Sequence, residues 1–94
     1  MPVITSIKVV RVEPLAGSVL RLEFSDGTAG DYDLRPLIER ATELTRPLGE
    51  PGVFQKVFLE LGALCWPNGF ELSPAAVHRE LQETGALRRV RSVA

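Results

Sequence analysis

Ala63-Leu64-Cys65-Trp66-Pro67-Asn68-Gly69-Phe70-Glu71-Leu72-Ser73-Pro74-Ala75-Ala76-Val77-His78-Arg79-Glu80-Leu81-Gln82-Glu83-Thr84-Gly85 holds, in succession, a strand end, a tight turn, a helix cap, a helix and a helix stop. Leu64 and Trp66 share one face of a strand. Pro67, Asn68 and Gly69 supply the fixed and positive φ of a reversal. Ser73 before Pro74 reads as an N-cap followed by the first helical position, and Gly85 ends the helix. Val77 and Leu81, four residues apart, are the packing face, with Arg79, Glu80, Gln82 and Glu83 toward water.

Working outward from that stretch, Val3 to Val12 is rich in β-branched residues whose phase slips, which predicts a strand that is bulged or buried on both faces. Leu20, Leu22 and Phe24 alternate with Arg21 and Glu23, the pattern of a half-solvated antiparallel strand. Ser25-Asp26-Gly27-Thr28 predicts a hairpin, with Ala29 to Leu34 as the returning strand. Pro36 places a short helix carrying Leu34, Leu37, Ile38 and Ala41. Thr45 to Gly52 reads as a Pro/Gly-rich loop, followed by a single turn that buries Phe54. Val57 to Leu61 and Ala63 to Trp66 are two further strands. The tail from Ala86 to Ala94, with Arg88, Arg89 and Arg91, is either a frayed end or one more strand on an open edge.

Phe24-x-Asp26-Gly27 followed by Asp33-Leu34-x-Pro36 has the same order as Trp66-x-Asn68-Gly69 followed by Glu71-Leu72-x-Pro74. Turn chemistry and capping select such residues wherever a hairpin feeds a helix, and an internal duplication would give the same order. Either way the expected fold class is α+β: two β-hairpin-plus-short-helix units forming a mostly antiparallel sheet with helices packed on it.

Ninety-four residues with 45% hydrophobic content suit a single domain, 1–94, with one modest core. A formal charge of −1 argues against a dedicated nucleic-acid or membrane-surface binder. The single cysteine, Cys65, requires no oxidising compartment, no segment is long enough to span a bilayer, and no basic leader precedes an apolar run. The chain therefore reads as an unprocessed cytoplasmic protein.

The segments Leu22-x-Phe24-x-Asp26-Gly27, Asp33-Leu34-x-Pro36-Leu37, Val53-Phe54-x-x-Val57 and Trp66-Pro67-Asn68-Gly69-x-Glu71-Leu72-x-Pro74 resemble the small bacterial proteins of domain-of-unknown-function family 2442. The resemblance runs from about Val9 to Glu80, and Trp66-Pro67-Asn68-Gly69 is its most specific part. It implies an α+β fold, no established activity or cofactor, and relatives that are fused to a helix-turn-helix or encoded beside another small protein. The chain departs from the family pattern at Phe70, commonly small, at Glu71, commonly Asp, and at His78, commonly Tyr. The last departure weakens a catalytic role for His78.

Nucleophilic chemistry would have to pair Cys65 with His78, oriented by Glu71, but a mid-strand cysteine behaves as a small buried hydrophobe. Asp26, Asp31 and Asp33 lie around a hairpin tip, where a solvated turn explains them better than a weakly bound Ca²⁺ or Mg²⁺ does. No catalytic residue, metal site or cofactor is assigned, and the chain is read as a non-enzyme. The expected function is a protein-binding or adaptor module acting through an open sheet edge or the Trp66–Phe70 surface. Its partner would be another small protein, encoded next to it, or a second copy in a homodimer. The candidate contact residues are Phe70, Arg88, Arg89 and Arg91. The competing reading is a nucleic-acid-associated regulator using the same arginines.

Overall fold

A computed structural model describes residues 6–90. The strands are β1 (Val9–Pro14), β2 (Val19–Phe24), β3 (Thr28–Asp33), β4 (Phe58–Glu60), β5 (Ala63–Cys65), β6 (Glu71–Leu72) and β7 (Arg88–Arg89). The helices are α1 (Arg35–Glu39), α2 (Pro51–Phe54) and α3 (Pro74–Glu83), and Arg46–Gly49 forms a 3₁₀ turn. The fold is α+β, and among the described residues every strand pairing is antiparallel. Among the described residues no helix is long and apolar enough to cross a membrane.

The strands are distributed over two sheets, in the orders β1-β2-β3-β7 and β4-β5-β6. β1 meets the second sheet at the tip of the β4–β5 hairpin, where the Val9 N–H donates to the Gly62 carbonyl at 2.9 Å. The backbone of that tip packs closely on the Lys8 side chain, leaving no room for a Cβ at Gly62.

The period-2 pattern of β2 sets the core of the larger sheet. Leu20, Leu22 and Phe24 are buried, while Arg21 on the other face pairs with Asp31 across β3. The register of β1 shifts between Val9 and Arg11, so the irregularity expected in the first strand is a bulge at Val10. Pro14, which has no N–H to give a ladder, is the last paired residue of this edge strand. The part of the expected first strand at Val3–Thr5 lies outside the described residues.

α3 forms as its caps dictate. Ser73 Oγ accepts from the Ala76 N–H at 3.3 Å, and Pro74 occupies the first turn. At the other end Gly85 adopts φ +75°, and the Ala86 N–H returns to the Leu81 carbonyl at 2.8 Å, a Schellman closure. Val77 and Leu81 are buried with Leu20, Leu22, Leu34, Leu48, Phe54, Leu64 and Trp66. Burial of that order stabilises by roughly 1.5–3 kcal/mol for each large aliphatic side chain.

The Pro/Gly-rich stretch is more ordered than a plain loop. Thr42 and Thr45 each take a backbone N–H from the other through their hydroxyls, at 3.0 and 3.1 Å, and the 3₁₀ turn that follows buries Leu48. Reciprocal hydroxyl bonds of this kind give the backbone the partners a helix would otherwise provide.

Candidate functional site

The two polar-glycine turns share one construction. In the first, the Gly27 N–H donates to the Phe24 carbonyl at 3.1 Å, and Asp26 Oδ1 accepts from the Thr28 N–H at 3.1 Å. In the second, the Gly69 N–H donates to the Trp66 carbonyl at 3.0 Å, and Asn68 Oδ1 accepts from the Phe70 N–H at 3.2 Å. Both glycines have positive φ, +85° and +97°. A turn closed by a left-handed residue and braced by an Asp or Asn side chain explains why the same residue types recur at the same spacing.

Pro67-Asn68-Gly69 also holds distant parts of the chain. Asn68 Nδ2 donates to the Leu44 carbonyl at 2.9 Å, and the indole N–H of buried Trp66 donates to the Phe54 carbonyl at 3.1 Å. Trp66 is therefore core, as its strand position predicts. Phe70 is half-buried, with its ring centroid 5.5 Å from that of Trp66 at a tilt of 42°. It packs against Trp66 and the core and leaves only part of its surface to solvent.

The first turn gathers side chains from three elements. His78 Nε2 lies 2.9 Å from Asp26 Oδ2, the Thr28 hydroxyl donates to Asp26 Oδ1 at 2.6 Å, and Arg89 Nη1 reaches the Asp26 carbonyl at 3.5 Å. The imidazole also meets Phe24 edge to face, with centroids 5.0 Å apart. Burial pushes the Asp26 carboxyl up, but the bonds from Thr28 and His78 together outweigh it and hold the group below the usual carboxylate range. A carboxylate that orients an imidazole is half of a general-base arrangement. Here the ring nitrogen facing Asp26 and the perpendicular contact with Phe24 fasten α3 to the turn.

The hydrogen bond of His78 goes to Asp26, while Cys65 Sγ contacts the Ala63 carbonyl at 3.7 Å. Burial, then the nearby Glu71 and Glu60, push the Cys65 thiol up, the opposite of what a nucleophile requires. Asp26, Asp31 and Asp33 have separate partners. Asp31 takes a two-point bond from the Arg21 guanidinium at 3.1 and 3.3 Å, which holds its carboxyl low. Asp33 Oδ1 accepts from the Arg35 N–H and the Ser18 hydroxyl, with the same effect. Glu80, expected to face water, accepts from the hydroxyl of buried Tyr32 at 2.9 Å, in a part-buried bond.

Arg88 and Arg89 form β7, opposite Ala29 and Thr28 of β3, and the Val90 N–H donates to the Gly27 carbonyl at 2.8 Å. Of the two dispositions open to the tail, its first part adopts the edge strand. Both arginines are exposed, and Arg91 lies outside the described residues.

Two features escape a reading along the chain. Val10 and Leu61, the sequence neighbours of the hydrogen-bonded Val9 and Gly62, are two exposed apolar residues. A groove of about 440 Å³ opens between the β1–β2 turn, α1 and the Leu48–Gln55 segment. The only local signal for it is the absence of bulk at Ala16, Gly17 and Gly49.

Comparison with curated proteins and with solved structures gives no match. A family model described as protein of unknown function (DUF2442) matches residues 9–83, which takes in both turns, the groove and α3 and stops short of β7. On a match of that extent, this chain belongs to the DUF2442 family.

Proposed function

We propose that this chain is a non-enzymatic protein-binding module of the adaptor type, which takes an extended, acidic segment of another protein against the free edge of β7. The supporting observation is the make-up of that edge. β7 is the terminal strand of its sheet, Arg88 and Arg89 are both exposed, and Val90 is 39% exposed. An open edge offers unpaired backbone groups to an incoming strand, and alternating side chains add selectivity.

Charge favours a different protein over a second copy. Two β7 strands paired with each other would set arginine against arginine, which is unfavourable across a ladder, whereas an acidic strand is complementary. Acids beside the same arginines oppose phosphate: Arg89 sits at the Asp26 turn, and Arg88 is close enough to Asp31 to help hold its carboxyl low. The buried, raised Cys65 thiol and the structural use of His78 favour binding over catalysis, and the bacterial cytoplasm is the compartment in which the reading places it.

The test is an NMR titration of the full chain with an acidic extended peptide and with its basic counterpart. Light scattering and gel mobility with a DNA duplex at low salt accompany it. Saturable shifts at Arg88–Val90 with the acidic peptide, lost in Arg88→Glu/Arg89→Glu, are expected. A concentration-dependent doubling of mass would point to the homodimer instead. Duplex retention that falls steeply with salt and vanishes in the double variant would replace the proposal with the nucleic-acid reading.

A further inference from the structure

We infer that the groove between the β1–β2 turn, α1 and α2 is a binding site for a small zwitterion with a large apolar side chain, the chemistry of a free apolar or aromatic α-amino acid. The site is separate from the β7 edge, and the inference stands independently of the protein-binding reading. At about 440 Å³ the groove is within the range of small-ligand pockets, roughly 300–1,000 Å³. Leu48 and Phe54 form an apolar floor and Ile38 a wall, while Arg35 and Glu39 stand one helical turn apart on α1 at the same groove.

The two charges at the groove are what select the ligand. An arginine and a glutamate four residues apart commonly neutralise each other, but the order Arg before Glu is the weaker one. Among the described residues the ion pairs are Arg11–Glu23, Arg21–Asp31 and His78–Asp26, so neither Arg35 nor Glu39 is in a direct ion pair there, although the Arg35 charge helps to hold the Asp33 carboxyl low. Asp33, two residues before Arg35, has its Oδ1 taken up by the Ser18 hydroxyl and the Arg35 N–H. A simple anion would gain Arg35 and meet Glu39, and a simple cation would face the reverse. A ligand carrying both charges on one carbon, with an apolar body to displace water from the half-buried Leu15 and Ile38 beside the buried Leu48 and Phe54, satisfies all three surfaces. An internal stretch of peptide lacks the pair of free termini that would do so.

The experiment is an NMR titration of the ¹⁵N-labelled full chain with L-phenylalanine, alongside phenylpropionate, phenylethylamine and glycine. Saturable shifts at Ala16, Gly17, Ile38 and Gln55 are expected with phenylalanine. Binding should be about tenfold weaker or worse with each analogue, the loss that follows from giving up one charge-assisted hydrogen bond or the apolar contact. Ala16→Trp, which fills the groove from an exposed position, and Arg35→Gln should each weaken phenylalanine binding to a similar degree. If Ala16→Trp disturbs the spectrum as a whole, Arg35→Gln decides. Absence of saturable shifts at these amides, equal binding of the single-charge analogues, or phenylalanine binding unaffected by Arg35→Gln would overturn the inference.

Discussion

The imidazole of His78 lies 2.9 Å from Asp26 Oδ2, and this contact ties α3 to the β2–β3 turn across 52 positions of sequence. His78→Ala removes both that bond and the edge-to-face packing on Phe24, and is expected to lower stability by about 1–2 kcal/mol in urea unfolding. The pH dependence follows from Asp26. Its carboxyl is held below the ordinary range in the folded chain, so its contribution is fully present above the unfolded value of about 4. That contribution is lost as pH falls through the lower folded value. Asp31 and Asp33 act in the same direction. Unfolding midpoints should therefore drop in acid, and drop less in Asp26→Asn. An equal acid response in that variant would remove Asp26 from the account.

That contact was beyond a reading of the sequence, and the reason is physical. Local signals reported local structure well: the alternation at Leu20, Leu22 and Phe24, the cap at Ser73, and the glycines that close both turns depend on neighbours a few residues away. The pairing of His78 with Asp26 and of Tyr32 with Glu80 depends on how α3 lies across the larger sheet, which no spacing along the chain encodes. The close approach of Gly62 to Lys8 likewise joins two segments far apart in the chain. The groove is assembled from three separate segments, so only its missing bulk could be seen in advance.

Trp66 combines burial at 2% exposure with an indole bond to the Phe54 carbonyl. Trp66→Ala should cost about 3–5 kcal/mol in denaturant unfolding, the range for large buried aromatics. Trp66→Phe keeps much of the contact but leaves the Phe54 carbonyl with only the longer bond from the Val57 N–H, 3.4 Å, and should cost less, about 1–2 kcal/mol. A near-neutral alanine variant would show that the indole is not part of the core.

Asn68 has two roles that can be separated. Asn68→Asp retains an acceptor for the Phe70 N–H but places a carboxylate against the Leu44 carbonyl in place of a donor. It should therefore be at least as damaging as Asn68→Ala, which is expected to cost about 1 kcal/mol. The corresponding exchange in the other turn, Asp26→Asn, preserves the acceptor for Thr28. Thermal midpoints of the three variants distinguish the roles, and an Asn68→Asp chain as stable as the parent would show that the tie to Leu44 contributes nothing.

Leu61 and Gly62 make the β4–β5 reversal with φ of +52° and +84°, the two left-handed positions of a type I′ turn. Leu61 is 90% exposed, so burial does not offset the steric cost of a side chain in that conformation. Leu61→Asn should raise stability by about 0.5–1 kcal/mol, and Leu61→Val, β-branched and poorly suited to positive φ, should lower it. At Gly62 the backbone conformation and the close approach can be told apart. A Cβ there would lie 2.5 Å from Lys8 Cβ. Gly62→Ala should therefore be destabilising by more than about 1 kcal/mol. Asn tolerates left-handed φ but carries the same Cβ, so Gly62→Asn should be nearly as harmful if contact with Lys8 is the cause, and much milder if φ alone is. Calorimetric midpoints for the four variants make the comparison, and a stabilised Gly62→Ala chain would contradict the packing of the sheet seam described above.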